Sequence, residues 1–307
     1  MAGSINRTHW DTSTNKDVFK ALVKKWFDST DREAIKEYPN VVRQYKTSDD
    51  YERHGRYAGL DYAGSVVEGA PIPIQGPKFG GTKDYTQVAY GTGFRITDRM
   101  KRTNKIGAME KWTKSLKRMM IETKDVEIAK MFNNMSATTY AAGFDTLAIA
   151  HNTHTTLDDA GATYDNYRDA ALSLATLEDA MHYFDYMYDD RGNLMIAKPD
   201  TLVVNYTLRQ DAQELMRSSM KPWEQSNTVN VLQGELTPYV YHRLTSPTCW
   251  FVVAKNDPDY GFFVYTLAEP QTRTEDAPDT TWDTVVTALQ YFKYGVDDPR
   301  LLYAGDL

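Results

Sequence analysis

The stretch from Gly64 to Asp98 constrains this chain more than any other. Ser65-Val66-Val67 leads into Gly69, Pro71, Pro73, Gly76, Pro77, Gly80 and Gly81, and Tyr85 to Thr97 then reads as extended chain. In that second leg Val88, Tyr90, Phe94 and Ile96 fall mostly at even spacing, with Gly91 and Gly93 loosening the strand. The pattern predicts a two-legged excursion with its tip near Gln75 to Gly81. Legs of about 12 residues reach ~40 Å. A hairpin that long has too little apolar surface to stand alone in water, so it must lie across something else. In a monomeric enzyme it would be a lid; in an assembly, an arm over a neighbour. The prolines of the first leg suit an edge strand that must not aggregate.

Helical patterns flank this excursion. From Asp98 to Met135 there is no proline, and Ile106, Met109, Trp112, Leu116, Met119, Met120, Ile121, Val126, Ile128 and Phe132 include a stripe at three-to-four spacing. Lys111, Lys114, Lys117 and Lys124 crowd the rest. An unbroken helix over Asn104 to Met135 would be ~48 Å long, more than a compact core requires. Its methionines read as adaptable packing. Upstream, Val18/Phe19, Leu22/Val23 and Trp26/Phe27 alternate with Lys16, Lys20, Lys24 and Lys25, which predicts an amphipathic helix over Asp17 to Phe27. At about 11 residues it is too short to be stable alone and should dock onto protein. Asp28-Ser29-Thr30-Asp31 opens another short helical stretch, Arg32 to Tyr38, ahead of Pro39.

The remainder mixes helices and strands. Thr176 is the expected cap of a helix carrying Leu177, Ala180, Met181, Phe184 and Tyr188, and Asp189 to Asn193 makes the turn that ends it. Strands are expected at Thr201–Asn205, Tyr239–Leu244, Cys249–Ala254 and Gly261–Thr266, with a long extended segment from Trp282 to Tyr294 after the acidic loop Glu275 to Asp279. Leu208, Ala212, Leu215 and Met216 mark a further helix. The class is α+β.

Composition narrows the function. With 41% hydrophobic and 25% charged residues over 307 positions, the chain can bury a sizeable core. No apolar run approaches the ~18 residues of a membrane span, and the polar Met1 to Trp10 gives no expectation of a signal peptide. Cys249 is the one cysteine, which excludes an internal disulfide and any all-cysteine metal site. These features lead to the expectation of a soluble, intracellular-type protein. The net charge of −7 divides unevenly: residues 1–135 carry +7 and residues 136–307 carry −14. An acidic whole argues against a dedicated DNA binder, while opposite halves favour ordered self-association between copies.

Chemistry is harder to find. His151-Asn152-Thr153-His154 puts two imidazoles three apart, and with Asp158 or Asp159 they could hold a metal for a hydrolase. No third ligand is fixed by spacing, however, and the segment has loop composition. Gly91-Thr92-Gly93 lacks the later glycine of a dinucleotide loop, no phosphate-binding Gly…Gly-Lys-Ser/Thr run exists, and no G-x-S-x-G elbow appears. His9, His54, His182 and His242 are isolated, and Cys249 sits in an apolar strand. We expect no catalytic residues, no cofactor and no bound metal.

An N-terminal arm, a long two-legged loop, a long helix and a mixed α/β remainder, in that order, resemble the major capsid proteins of tailed phages, the Hong Kong 97-type fold, and in several stretches its Mu-like head subunit branch. Asp84-Tyr85-Thr86 through Tyr90-Gly91 to Phe94-Arg95-Ile96-Thr97 is similar to the return strand of that family's extended loop. Ala170 to Glu178 resembles a family helix start, and Tyr291-Phe292-Lys293-Tyr294-Gly295-Val296 the closing strand. Asp189-Asp190-Arg191-Gly192 followed by Lys198 to Val204 is the most specific piece.

The resemblance implies a shell subunit forming hexamers and pentamers of an icosahedral virion head around double-stranded DNA held without sequence preference. Residues 1–61 would be the N-terminal arm and 62–98 the extended loop. The spine helix and peripheral domain would take 99–169, the axial domain 170–280 and the return strand of the peripheral domain 281–307. Inter-subunit contacts would come from Pro71, Pro73, Pro77, Lys78, Phe79, Lys83 and Tyr85 on the loop. Met109, Trp112, Leu116 and Met119 would belong to the spine helix. A separate scaffolding protein, a portal and decoration proteins are the expected partners, with assembly in the host bacterial cytoplasm and no membrane contact. An encapsulin-type nanocompartment shares the fold and is the alternative within it; the metal-dependent hydrolase is the alternative outside it.

Overall fold

The computed structural model describes residues 13–29, 35–103, 105–157, 162–221, 228–277 and 282–307. The expected turn and helix start at Thr30 to Arg32, the hydrolase carboxylates Asp158 and Asp159, and part of the acidic loop before Trp282 lie outside the described residues.

The chain opens with helix α1 (Ser13–Asp28), followed by strands β1 (Arg43–Lys46), β2 (Tyr51–Ala58), β3 (Lys78–Thr86) and β4 (Val88–Ile96). A short helix α2 (Asp98–Arg102) leads into the long α3 (Ile106–Asn133). Then come the short strands β5 (His154–Thr155), β6 (Thr163–Tyr164) and β7 (Tyr167–Arg168), helix α4 (Leu174–Asp185), the hairpin β8 (Met187–Tyr188) and β9 (Leu194–Met195), and β10 (Thr201–Val204). Helix α5 (Arg209–Arg217), β11 (Thr237–Val240), β12 (Trp250–Val253), the long β13 (Phe262–Asp276) and β14 (Thr284–Val296), and β15 (Leu302–Gly305) complete it. The mixture is α+β, as the patterning indicated.

Two sheets organise these elements. A five-stranded sheet runs β11-β10-β12-β15-β7, and a four-stranded one β1-β13-β14-β4. The first is the heart of the main core: Leu202, Val203, Trp250, Phe251 and Val252 are fully buried, with Ala212 and Leu215 of α5 and Leu177 and Phe184 of α4 in the same cluster. The end of α3 joins it, since the Phe132 ring stacks on Phe251 at 5.2 Å and on Phe262 at 5.8 Å. The second sheet carries its own smaller core. Phe19, Val23, Trp26 and Phe27 of α1 pack with Met109, Leu116 and Met120 of α3 over Ile96, Val286 and Ala288. The amphipathic helix is longer than the expected Asp17–Phe27, running Ser13–Asp28, and packs on its own chain.

Helix α3 spans about 42 Å at the standard rise per residue. Its lysines are not all on a solvated face. Lys117 is buried with its Nζ 4.5 Å from the centre of the Phe27 ring, and buried Lys124 donates to Thr266 Oγ1 at 2.6 Å between the Tyr38 and Phe292 rings. Long aliphatic stems let lysine line a core while the ammonium meets aromatic faces and a hydroxyl.

Several expectations are corrected. The hairpin legs are Tyr51–Ala58 and Lys78–Thr86, paired antiparallel, so the first leg starts before Gly64 and the second leg ends before Val88. Segment 59–77 between them forms no strand, and Pro71, Pro73 and Pro77 lie in this irregular tip. Strand β4 pairs instead with β14, nine residues in register from Val88↔Phe292 to Ile96↔Thr284. Strand period shows that a segment is extended but not which edge it joins. The expected boundary between residues 61 and 62 therefore falls inside the tip. The cap of α4 is Ser173, whose side chain accepts from Thr176 N–H while the Thr176 hydroxyl accepts from Ser173 N–H. Of the expected Arg32–Tyr38 helix, residues 35–37 are not helical and Tyr38 opens a 3-10 turn, Tyr38–Asn40. The expected Gly261–Thr266 strand continues to Asp276, and β1 and β15 are additional.

Candidate assembly surfaces

The β2–β3 hairpin is built from polar cross-strand pairs. Arg53 donates from Nε and Nη2 to the two carboxylate oxygens of Asp84 at 2.7 Å each. At the distal end the exposed Tyr57 and Phe79 rings pack at 5.2 Å. Neither face of this ribbon is apolar enough to hold it flat in solution, so its orientation depends on anchors at its base and neck.

The base anchor centres on Tyr85 and His54. Tyr85 is 3% exposed, and its hydroxyl lies 2.7 Å from both the Val296 carbonyl and Asp297 Oδ1. Burial, reinforced by Asp297, pushes its phenol well above the ordinary value. His54 faces Asp297 Oδ2 through Nδ1 at 2.5 Å and the Tyr265 hydroxyl through Nε2 at 3.0 Å. Lys83 donates to the Ala142 carbonyl and, at 3.2 Å, to the Val296 carbonyl; burial lowers its pKa. Tyr85 and Lys83 thus differ from the expectation of contact with a neighbour. They tie the hairpin to their own subunit, because both face inward on β3.

The neck anchor comes from the β8–β9 turn. Asp190 receives Arg56 of β2 through Nε at 3.0 Å and Nη2 at 2.6 Å, and Arg300 through Nη2 at 2.7 Å. Burial alone would raise the Asp190 carboxyl, but Arg56 and Arg300 outweigh it and hold it below the usual carboxylate range. The sequence showed no sign of this cluster, since its members are more than a hundred residues apart.

Beyond the neck, the tip is apolar and uncovered. Val67 is 78% exposed, Ile72 77% and Ile74 97%, with Leu60, Tyr62 and Val66 also exposed. Scattered single exposed hydrophobics need no explanation, but several on one short irregular segment form an exposed apolar surface. Pro71, Pro73 and Pro77 are exposed within it, Phe79 is exposed on β3, and Lys78 is half-buried there. On α3, Met109 and Leu116 are buried under α1, whereas Trp112 and Met119 are 43% and 39% exposed. Helical period placed all four on the helix but did not separate the faces, because α1 covers only one of them.

The described contacts of the histidine pair lie within the fold. His154 is fully buried, with Nδ1 2.6 Å from Asp145 Oδ2 and Nε2 3.2 Å from the Ile149 carbonyl, so both ring nitrogens are engaged. His151 Nδ1 accepts from Thr153 N–H at 3.1 Å. Among the described residues no group of three or more His, Cys, Asp and Glu is placed to hold a metal. Cys249 is buried, and burial, then Asp306, pushes its thiol up to about 12. Among those residues, too, no helix is long and apolar enough to cross a membrane.

A family model described as phage capsid protein matches residues 80–305. The chain belongs to the phage capsid protein family. It is a phage capsid protein, a structural protein of the virion. Solved structures agree on the fold. The procapsid protein of bacteriophage JBD30 superposes with a TM-score of 0.55 at 8% identity, covering 95% of this chain and 75% of that one. The capsid protein of a native GTA particle gives 0.55 at 10% identity, covering 89% and 92%. The virus-like particle from Pyrococcus furiosus gives 0.51 at 8% identity, covering 92% and 97%. At such identities these likenesses establish the Hong Kong 97-type fold and nothing about partners. No curated protein matches by sequence.

Proposed function

We propose that this capsid protein assembles into hexamers and pentamers of an icosahedral head that encloses double-stranded DNA. The observation that carries the reading is the hairpin tip, residues 59–77, whose apolar side chains its own chain leaves uncovered. A neighbouring subunit of the shell is the partner that would cover them. The hairpin of residues 51–86 then takes the role first given to 62–98, and α3 that of the spine helix. The peripheral domain takes 99–169 and 281–307, and the axial domain 170–280. Pro71, Pro73, Pro77, Lys78 and Phe79 are the proposed loop contacts, with Trp112 and Met119 on α3.

The unequal charge of the two halves supports a registered contact between copies, and DNA inside the shell needs no base-specific groups. We place assembly in the host bacterial cytoplasm, with a separate scaffolding protein, a portal and decoration proteins as partners. Within the family we place the chain in the Mu-like branch, on Asp189 to Gly192 and Lys198 to Val204. Negative-stain electron microscopy of the purified protein, alone and co-expressed with its neighbouring genes, tests the proposal. Closed shells, or hexamers and pentamers, support it, and DNA rather than protein content separates a phage head from a nanocompartment. A uniform monomer or dimer under every condition refutes it.

A further inference from the structure

The Asp189-Asp190-Arg191-Gly192 turn, expected to end a helix, instead joins β8 to β9, and its geometry gives it a further role. Asp189 Oδ1 accepts the backbone N–H groups of Arg191 at 2.8 Å and Asn193 at 2.9 Å, and Gly192 adopts φ +82°, which only glycine takes without strain. The turn is thereby locked, and its two central side chains point in different directions. Asp190 holds Arg56 on β2, as described above. Arg191 reaches the tip segment itself. Its Nε donates to the Gly59 carbonyl at 3.0 Å, Nη1 meets Asp61 Oδ2 at 3.2 Å, and Nη2 donates to the Gly76 carbonyl. Gly59 directly follows β2, and Gly76 lies just before β3, so one guanidinium clasps both ends of the tip. The tip is pinned twice more, by Asp61 N–H to Gln75 Oε1 at 2.8 Å and by the Tyr62 hydroxyl to the Leu194 carbonyl of β9 at 3.3 Å.

We propose that Arg191 is a positioning residue for assembly: it clasps the neck of the 59–77 tip to the β8–β9 turn and so presents the apolar tip to a second copy of this chain in one orientation. This rests on the capsid reading. The β2–β3 pairing already brings the two ends of the tip together, so the clasp adds little to closure. Its contribution is the direction of the tip relative to the body. A guanidinium suits this task because its donors form a rigid planar fork that can serve several acceptors at once, whereas an ammonium is a single flexible point charge. An oriented tip does not have to be ordered at the moment of association, and that ordering cost is subtracted from binding when it is left until then. The side chain is 10% exposed, and its partners Gly59, Asp61 and Gly76 all lie outside the strands of either sheet, so its removal frees the tip without breaking a strand pairing.

The test compares wild type, Arg191→Ala and Arg191→Lys by three measurements. These are thermal melting, chymotryptic nicking at Leu60 and Tyr62, and the protein concentration at which light scattering and electron microscopy first detect shells or capsomers. The expected result for R191A is an unchanged melting temperature, about tenfold faster nicking and an assembly threshold raised about tenfold. R191K should fall between R191A and wild type in both nicking and threshold. Nicking and assembly at wild-type values in R191A would overturn the inference. So would a melting temperature that falls in step with assembly in both variants, which would make Arg191 a residue of general stability. If R191A does not fold, R191K carries the test on the same criteria. If wild type itself never assembles, the capsid reading fails, and the nicking rates still decide whether the clasp exists.

Discussion

Replacing Ile72 and Ile74 together by serine should abolish assembly at ordinary concentrations while leaving the subunit folded. The structure sets the size of both effects. With 77% and 97% of their surface exposed, the two side chains contribute almost nothing to the fold of a single subunit. Substitutions at such positions usually change stability by less than about 0.5 kcal/mol. Burying an isoleucine completely against a partner is worth roughly 1.5–3 kcal/mol. Association recovers only part of that, so the lower value is the appropriate one. Two residues then contribute about 3 kcal/mol to the contact, which at 1.4 kcal/mol per decade is a shift of about a hundredfold in association constant. The assay is static light scattering across a concentration series of wild type and the I72S/I74S variant, with a thermal melt of each. The expected outcome is superimposable melts and an assembly threshold about a hundred times higher. Equal thresholds would refute the claim that the tip is an intersubunit surface. A lowered melting temperature would show that the tip packs on its own subunit.

Other predictions address the anchors and the core. Tyr85→Phe removes the hydroxyl that bridges β3 to Val296 and Asp297, and should cost about 1.5–3 kcal/mol in denaturant unfolding. Asp190 is held below its reference value of 3.8 in the folded chain, so its stabilisation is complete above that pH and is lost as pH falls through the lower folded value. The melting temperatures of wild type and Asp190→Asn should therefore differ at pH 7 and converge below pH 3.8; a constant gap would contradict the ion-pair account. Two glycine substitutions should move stability in opposite directions. A Cβ at Gly261 would stand 2.5 Å from the Asp298 carbonyl oxygen, so Gly261→Ala should cost about 2–3 kcal/mol. A Cβ at Gly107, near the start of α3, meets nothing within 4 Å, so Gly107→Ala should gain about 0.5–1 kcal/mol. Calorimetry of the pair checks both signs.

Much of the local structure was legible in the sequence because it rests on short-range periodicity. The apolar pairs of α1, the stripe of α3, Ala212, Leu215 and Met216 in α5, and the buried run from Leu202 to Val204 all report which face of an element must leave water. The order of these elements, with the glycine- and proline-bearing two-legged excursion between them, also carried the resemblance to the capsid family. The single cysteine was enough to exclude an internal disulfide, and among the described residues no helix is long and apolar enough to cross a membrane.

Tertiary structure decided what pairs with what. Period-two alternation made Val88 to Ile96 a strand, but only the three-dimensional arrangement showed that it joins β14 and not the first leg of the excursion. The inward pull on Tyr85 and Lys83, the burial of Lys117 and Lys124, and the engagement of both nitrogens of His154 each depend on partners distant in the chain or on packing that local residue type does not specify. The same holds for the neck, where Asp190 and Arg191 act on Arg56, Gly59, Gly76 and Arg300. A sequence encodes the tendency of each segment through its own side chains. Where two segments meet is settled by the free energy of the whole core, to which every buried contact contributes at once.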